Sequence, residues 1–115
     1  MNKLFFSLLF ACFLNVFSVH ANEKLDSLLV ALSDLTYKNS ASEVREKALL
    51  CREIADWYQE AYTDQEYTRV YLLQSIDHSK KCISMEKKPD DYIFLSNLYR
   101  DLSLFELFKG NVKES

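Results

Sequence analysis

Apolar residues recur along much of this chain with the period of a helix. Leu25, Leu28, Leu29, Leu32 and Leu35 stand at offsets 0, 3, 4, 7 and 10. They line one stripe of an α-helix, a spacing that strand alternation cannot produce. The stripe predicts a first helix from about Asn22 to Tyr37. Lys38-Asn39-Ser40-Ala41-Ser42 then breaks the pattern. Ser40 with Glu43 three residues later has the form of a capping box, in which hydroxyl and carboxylate each accept an orphan N–H. A second helix is expected from there to about Ala61, burying Val44, Ala48, Ile54, Ala55, Tyr58 and Ala61. Thr63 and Glu66 repeat the box form and open a third helix carrying Tyr67, Val70, Tyr71, Leu73 and Ile76. Pro89-Asp90-Asp91 reads as a fourth start, proline at the first helical position with acids behind it. Gly110-Asn111 is expected to stop that helix near Lys109.

The first residues carry a different pattern. Met1-Asn2-Lys3 is short and positive, and Leu4 to Val19 is largely apolar. Val19-His20-Ala21 places short residues where a cleavage site needs them. Charge, apolar core and cleavage site in that order predict a signal peptide over 1–21 and a mature helical domain over 22–115. An uncleaved anchor is the alternative, but the run falls short of the roughly 20 apolar residues a spanning helix needs. A lipoprotein is a third reading, on Leu9-Phe10-Ala11-Cys12, although Phe10 is bulky for that motif. The mature chain is thus expected in the periplasm or outside the cell, with no membrane segment after cleavage.

Composition narrows the fold further. Gly and Pro each occur once in 115 residues, which excludes folds built on glycine turns. The expected class is all-α: about four helices after the signal peptide, arranged as antiparallel hairpins because the connections are short. A net charge of −3 gives no electrostatic reason to expect nucleic acid as a partner.

Within that frame, Ile54, Ala55 and Tyr58 on the second helix form a large-small-aromatic pattern. Val70 and Leu73 are the packing positions expected across the hairpin. Leu95, Ser96 and Tyr99 repeat the first three at a constant spacing of 41. A competing register uses Leu102, Ser103 and the segment Gly110 to Ser115. These residues resemble the tetratricopeptide repeat, a stackable helix hairpin, although its usual period is about 34 residues. An ordinary four-helix bundle stays open beside it. Together with a signal peptide, the pattern is similar to the exported sensor region of certain bacterial membrane histidine kinases and regulators. The membrane and signalling parts of such proteins have no counterpart here, and the chain is read as a possible truncated form. The fourth helix, with Ile93, Phe94, Leu98, Leu104, Phe105, Leu107 and Phe108, is expected to be under-covered. It either closes on the first helix, meets a partner, or continues into something longer.

Candidate chemistry is sparse. Cys51 and Cys82 would face an oxidising compartment, where pairing is the first expectation. A hairpin turning near residue 63 sets Cys51 opposite about residue 75, leaving Cys82 roughly 10 Å further along at about 1.5 Å per residue. Free thiols or an intermolecular bond are therefore also expected outcomes. His78 is the only histidine of the mature segment, and it reads as a residue on a wet helix face. No catalytic arrangement, metal site or cofactor site can be built, so the chain is expected not to be an enzyme.

A binding role is the remaining expectation. Trp57, Tyr58, Tyr62, Tyr67 and Tyr71 crowd the second hairpin, as interface rings or as filling between helices. In the repeats that this chain resembles, first helices line the concave binding face. The resemblance places Arg52, Asp56 and Gln59 there from one helix, and Asn97 and Arg100 from the other. An arginine in such a position holds a carboxylate of a protein or peptide partner. A solvated polar stripe is the plainer reading of the same residues. The alternative function is a small self-associating bundle.

Overall fold

In a computed structural model of the chain, the backbone is described for residues 16–114 and side chains for residues 23–108. Four helices follow in order: α1 Val16–Asp34, α2 Ala41–Ala61, α3 Gln65–Met85 and α4 Pro89–Glu114. No strand occurs among the described residues, and the all-α class expected from the apolar period is the class observed. None of these helices is long and apolar enough to cross a membrane. The expected signal segment lies mostly outside the described residues.

Local signals set most of the helix boundaries. Ser40 caps α2 with the full reciprocal box: its Oγ accepts from the Glu43 N–H while the Glu43 carboxylate accepts from the Ser40 N–H. That arrangement holds the Glu43 carboxyl below its ordinary range. Pro89 opens α4 with Asp90 and Asp91 in the first turn. Four boundaries differ from expectation. The chain is already helical at Val16, the first described residue, rather than from near Asn22, and the end of α1 at Asp34 precedes a closing turn in which Leu35 and Thr36 bond back to Leu32 and Ser33. The cap of α3 is Asp64, whose carboxylate accepts from Tyr67 N–H at 2.9 Å, not Thr63. Thr63 instead sits at φ 48°, the left-handed position that ends α2 and that a glycine usually takes. Finally, α4 runs through Gly110 to Glu114, since a helix can continue through a glycine at a cost of about 1 kcal/mol. This removes the register in which Gly110 to Ser115 opened a turn.

The antiparallel hairpin α2–α3 is the centre of the molecule, with α1 and α4 on different sides of it. Leu25 and Leu28 of α1 pack on Ile54, with Trp57, Tyr58 and Tyr71 around them. Ala55, Leu72 and Ile76 of the hairpin pack on Leu98 and Phe105 of α4. The adjacent residues Ile54 and Ala55 therefore serve opposite neighbours. The cluster holding α1 and the cluster holding α4 share only Tyr71, so α4 does not close back on α1.

On α3 the buried face is only partly the expected one: Ile76 is buried and Tyr71 half-buried as expected. Thr68, Leu72, Ser75, Ile76, Ser79 and Cys82 are buried, while Tyr67 and Val70 are exposed and Leu73 is half-buried. Small polar residues occupy the seam because their hydroxyls find acceptors without water. Ser75 Oγ donates to the Ala48 carbonyl at 2.6 Å and Thr68 Oγ1 to the Asp64 carbonyl. Small side chains also let α2 and α3 approach closely, so hydropathy alone points to the wrong stripe. On α2 the expected set holds for Val44, Ala48, Ile54 and Ala55. Tyr58 is half-buried and Ala61 exposed, while Lys47 and Cys51 are buried in addition.

Candidate functional site

The five residues placed on a binding face do not form one cluster. Arg52 reaches from α2 to α4, where it pairs with Asp101 at 2.6 Å and lies over the Phe94 ring at 5.8 Å. Arg100 approaches the same Asp101 at 4.0 Å from its own helix, so Asp101 stands between two guanidinium groups. Asp56, one turn after Arg52, lies near this group. Burial raises its pKa, Arg52 opposes the rise, and Glu60 and Asp101 add to it. Gln59 lies apart, lining a hollow of about 290 Å³ at the hairpin tip with Thr63, Asp64, Thr68, Phe105 and Phe108. Asn97 is half-buried on α4, on the same side of that helix as Arg100 by helical spacing.

Sequence reasoning missed Asp101, which connects the two arginines, and Phe94, which carries the Arg52 guanidinium. Neither stands out by spacing, since both owe their role to the way α4 crosses α2. The same crossing brings Arg45 to Asp91 through two hydrogen bonds of 2.8 Å each.

The outer side of α4 carries a set of exposed apolar residues. Ile93, Leu104, Leu107 and Phe108 are all exposed, the last at 64%. Ile93, Arg100, Leu104 and Leu107 recur at offsets 0, 7, 11 and 14 and share one face of a helix. Arg100 therefore stands between an apolar residue on one side, Ile93, and an apolar pair on the other, Leu104 and Leu107, with Ser96 and Asn97 beside it. The second large-small-aromatic copy behaves accordingly: Leu95 is half-buried while Ser96 and Tyr99 are exposed. Its counterpart Ile54-Ala55 is fully enclosed, because α2 packs against α1 at Ile54 and against α4 at Ala55.

The tyrosines form a stack across the hairpin. The Tyr58 ring lies 5.0 Å from Tyr67 and 5.7 Å from Tyr71, both nearly parallel, with Tyr62 tilted at 6.0 Å. Tyr58 and Tyr71 are half-buried; burial raises both their pKa values. These two fill the space between helices, while Tyr62 and Tyr67 remain exposed.

The two cysteines among the described residues, Cys51 and Cys82, are free and buried. The Cys51 thiol faces Gln74 at 3.9 Å, close to the position expected across the hairpin, and burial pushes it up to about 12. Cys82 lies 3.5 Å from Asp91, and burial and that carboxylate raise its pKa. Raised thiols are poor nucleophiles, since the thiolate is the reacting form. His78 is half-buried rather than on a wet face, in a hollow with Leu32, Thr36, Lys47 and Gln74. No group of three or more metal-ligating side chains occurs among the described residues.

No protein-family model, no curated protein and no solved structure matches this chain. The class that the structure itself defines is an all-α array of a central hairpin with a helix on either side.

Proposed function

We propose that the chain is an exported, non-catalytic helical-repeat module that binds a protein or peptide partner. The carrying observation is the outer face of α4, with Arg100 at its centre. Exposed apolar anchors, Ile93 at one end and Leu104, Leu107 and Phe108 at the other, flank a polar centre of Ser96, Asn97 and Arg100, and such clustered exposed apolar residues rimmed by polar ones suit a docking surface. The occupant is an amphipathic helix with apolar anchors at helical spacing and a carboxylate opposite Arg100. This helix would take the place that the second helix of a repeat hairpin occupies beside its first. Arg52 and Asp56 border the stripe, and Asn97 adds a polar contact on it. Gln59 belongs to the rim of the neighbouring hollow.

Self-association is the rival occupant. A second copy laid antiparallel over the stripe would set Arg100 against its own equivalent, because residue 100 is the midpoint between Ile93 and Leu107. Like charges in register are destabilising, which favours a different, acidic partner.

The test is selection of helical peptides from a displayed library against the full chain. Enriched peptides should carry apolar residues at i, i+3 or i+4, and i+7, with an acid between them. Capture should fall at least about tenfold on Leu107→Asp, which replaces an apolar anchor with a charge, and severalfold on Arg100→Glu. Enrichment that neither substitution weakens overturns the reading. A dimer in sedimentation that Leu107→Asp dissolves assigns the face to self-association instead.

A further inference from the structure

On the other side of the hairpin lies an arrangement that partner docking does not use. Lys47 of α2 is only 5% exposed. Its ammonium reaches two neutral acceptors, Asn39 Oδ1 at 3.2 Å and the Thr36 carbonyl at 3.5 Å. Lys81 of α3 donates to the same Asn39 Oδ1 at 3.4 Å. Two cations thus share one amide oxygen. Among the described residues no carboxylate pairs with either. A buried ammonium ordinarily has a counter-charge, because neutral acceptors repay only part of its lost hydration.

The ammonium of Lys47 borders a hollow of about 250 Å³, with Leu32, Thr36, Gln74 and His78 as its other walls. Gln74 accepts from the Cys51 thiol through Oε1, which leaves its NH2 to donate. The charged surroundings are positive on balance. Lys47 comes from α2, Lys81 from α3, and Lys38 from the loop between α1 and α2. The acids nearby are Glu43 and Asp77. Glu43 is held by Ser40 at the α2 cap, and Asp77 is exposed on α3. The walls from α1 and its closing turn, Leu32 and Thr36, are uncharged.

We propose that this hollow is a binding site for a phosphate-type oxyanion, held by the ammonium groups of Lys47 and Lys81 with His78 and Gln74 beside them. The oxyanion takes up the two ammonium groups that Asn39 alone now bridges. Phosphate suits them better than a carboxylate does. It carries between one and two charges at neutral pH, about −1.5 to −2 when it is a monoester, and has oxygens enough for donors arriving from α2 and α3. Lysine serves such a group as a point charge. The hollow is open, so phosphate can arrive free or as the end of a monoester.

The pH behaviour of His78 provides the readout. Burial lowers its pKa first, Lys47 and Lys81 lower it further, and Asp77 opposes them. A phosphate anion beside the two lysines offsets their effect and raises it. The experiment follows the His78 ring by NMR in the full chain as inorganic phosphate is added at constant ionic strength. The expected result is a saturable rise in the His78 pKa, absent with chloride and weakened at least threefold in apparent affinity by Lys81→Gln. Lys81 is exposed, so this variant should fold; circular dichroism verifies it. Lys47→Gln should abolish the response, and if it fails to fold the Lys81 variant still decides. O-phosphoserine as a second probe separates the sources: tighter binding than phosphate assigns a monoester, equal or weaker binding the free ion. A response that does not saturate, or that Lys81→Gln leaves unchanged, overturns the site.

Discussion

Arg45 and Asp91, forty-six residues apart in sequence, meet through two parallel hydrogen bonds of 2.8 Å that tie the N-terminal part of α2 to the first turn of α4. The pairing answers a need at both ends. Asp91 is buried, and a buried carboxylate needs a partner. The start of α4 would otherwise have only the short 86–88 segment to position it against α2. Glu86 approaches the same guanidinium at 3.6 Å, and the Cys82 thiol donates to Asp91 Oδ2, the oxygen that also accepts from Arg45 Nη2. The lock is thus formed by α2, the end of α3 and α4 together.

That lock predicts an acid response. The Arg45 hydrogen bonds hold the Asp91 carboxyl below its ordinary range, against burial, which would raise it. A carboxyl with a depressed folded-state pKa adds stability above its unfolded value of about 3.9. That stability is lost as pH falls from there through the folded value. Asp91→Asn should lower stability at neutral pH and flatten the loss below about pH 4. Urea unfolding at a series of pH values checks this; an unchanged acid limb removes the lock as its cause.

His78 predicts a second dependence, in another window. Its pKa is lowered in the folded chain, chiefly by burial, so the unfolded chain binds its proton first. Stability should therefore fall as pH drops below about 6.5. His78→Gln should suppress that component and leave the acid limb of Asp91 in place. Equal slopes between pH 5 and 7 in the two proteins would exclude the histidine.

The hairpin core predicts unequal costs for similar truncations. Ile54 is 0% exposed and Val70 is 40% exposed. Ile54→Ala should cost about 2–5 kcal/mol, whereas Val70→Ala should stay within about 1 kcal/mol. Comparable losses at both positions would mean that α3 presents a different face to α2.

Thr63 predicts a gain. Its φ of 48° is unfavourable for a β-branched residue and natural for glycine. Thr63→Gly should stabilise by about 0.5–1 kcal/mol, less whatever its hydroxyl bond to the Tyr62 carbonyl contributes. A higher denaturation midpoint is the expected reading, and a lower one would show that the hydroxyl matters more than the backbone.

The cysteines predict silence until unfolding. Cys51 and Cys82 are buried with raised pKa values. Alkylation at pH 8, mapped by peptide, should label neither in the native chain and both in urea. Rapid native labelling of Cys82 would show that the hollow beside Arg45 and Phe94 opens.

Periodicity and capping were legible in the residues themselves. The leucine stripe of α1, the Ser40–Glu43 box and the Pro89 start each depend on contacts within a few residues, so local chemistry is enough to specify them. The same holds for the near-opposition of Cys51 and Gln74, which follows once the hairpin is in place. Tertiary structure decided what depends on the approach of separate helices. It made the small polar stripe of α3 the buried one, because close packing with satisfied hydroxyls outweighs the larger hydropathy of Val70. Asp101 became the meeting point of Arg52 and Arg100, and Gln59 was set apart from them, through the crossing of α4 over α2. Lys47 and Lys81 came to share Asn39, which no sequence spacing announces, because electrostatic neighbours across a helix interface are chosen by packing rather than by order along the chain.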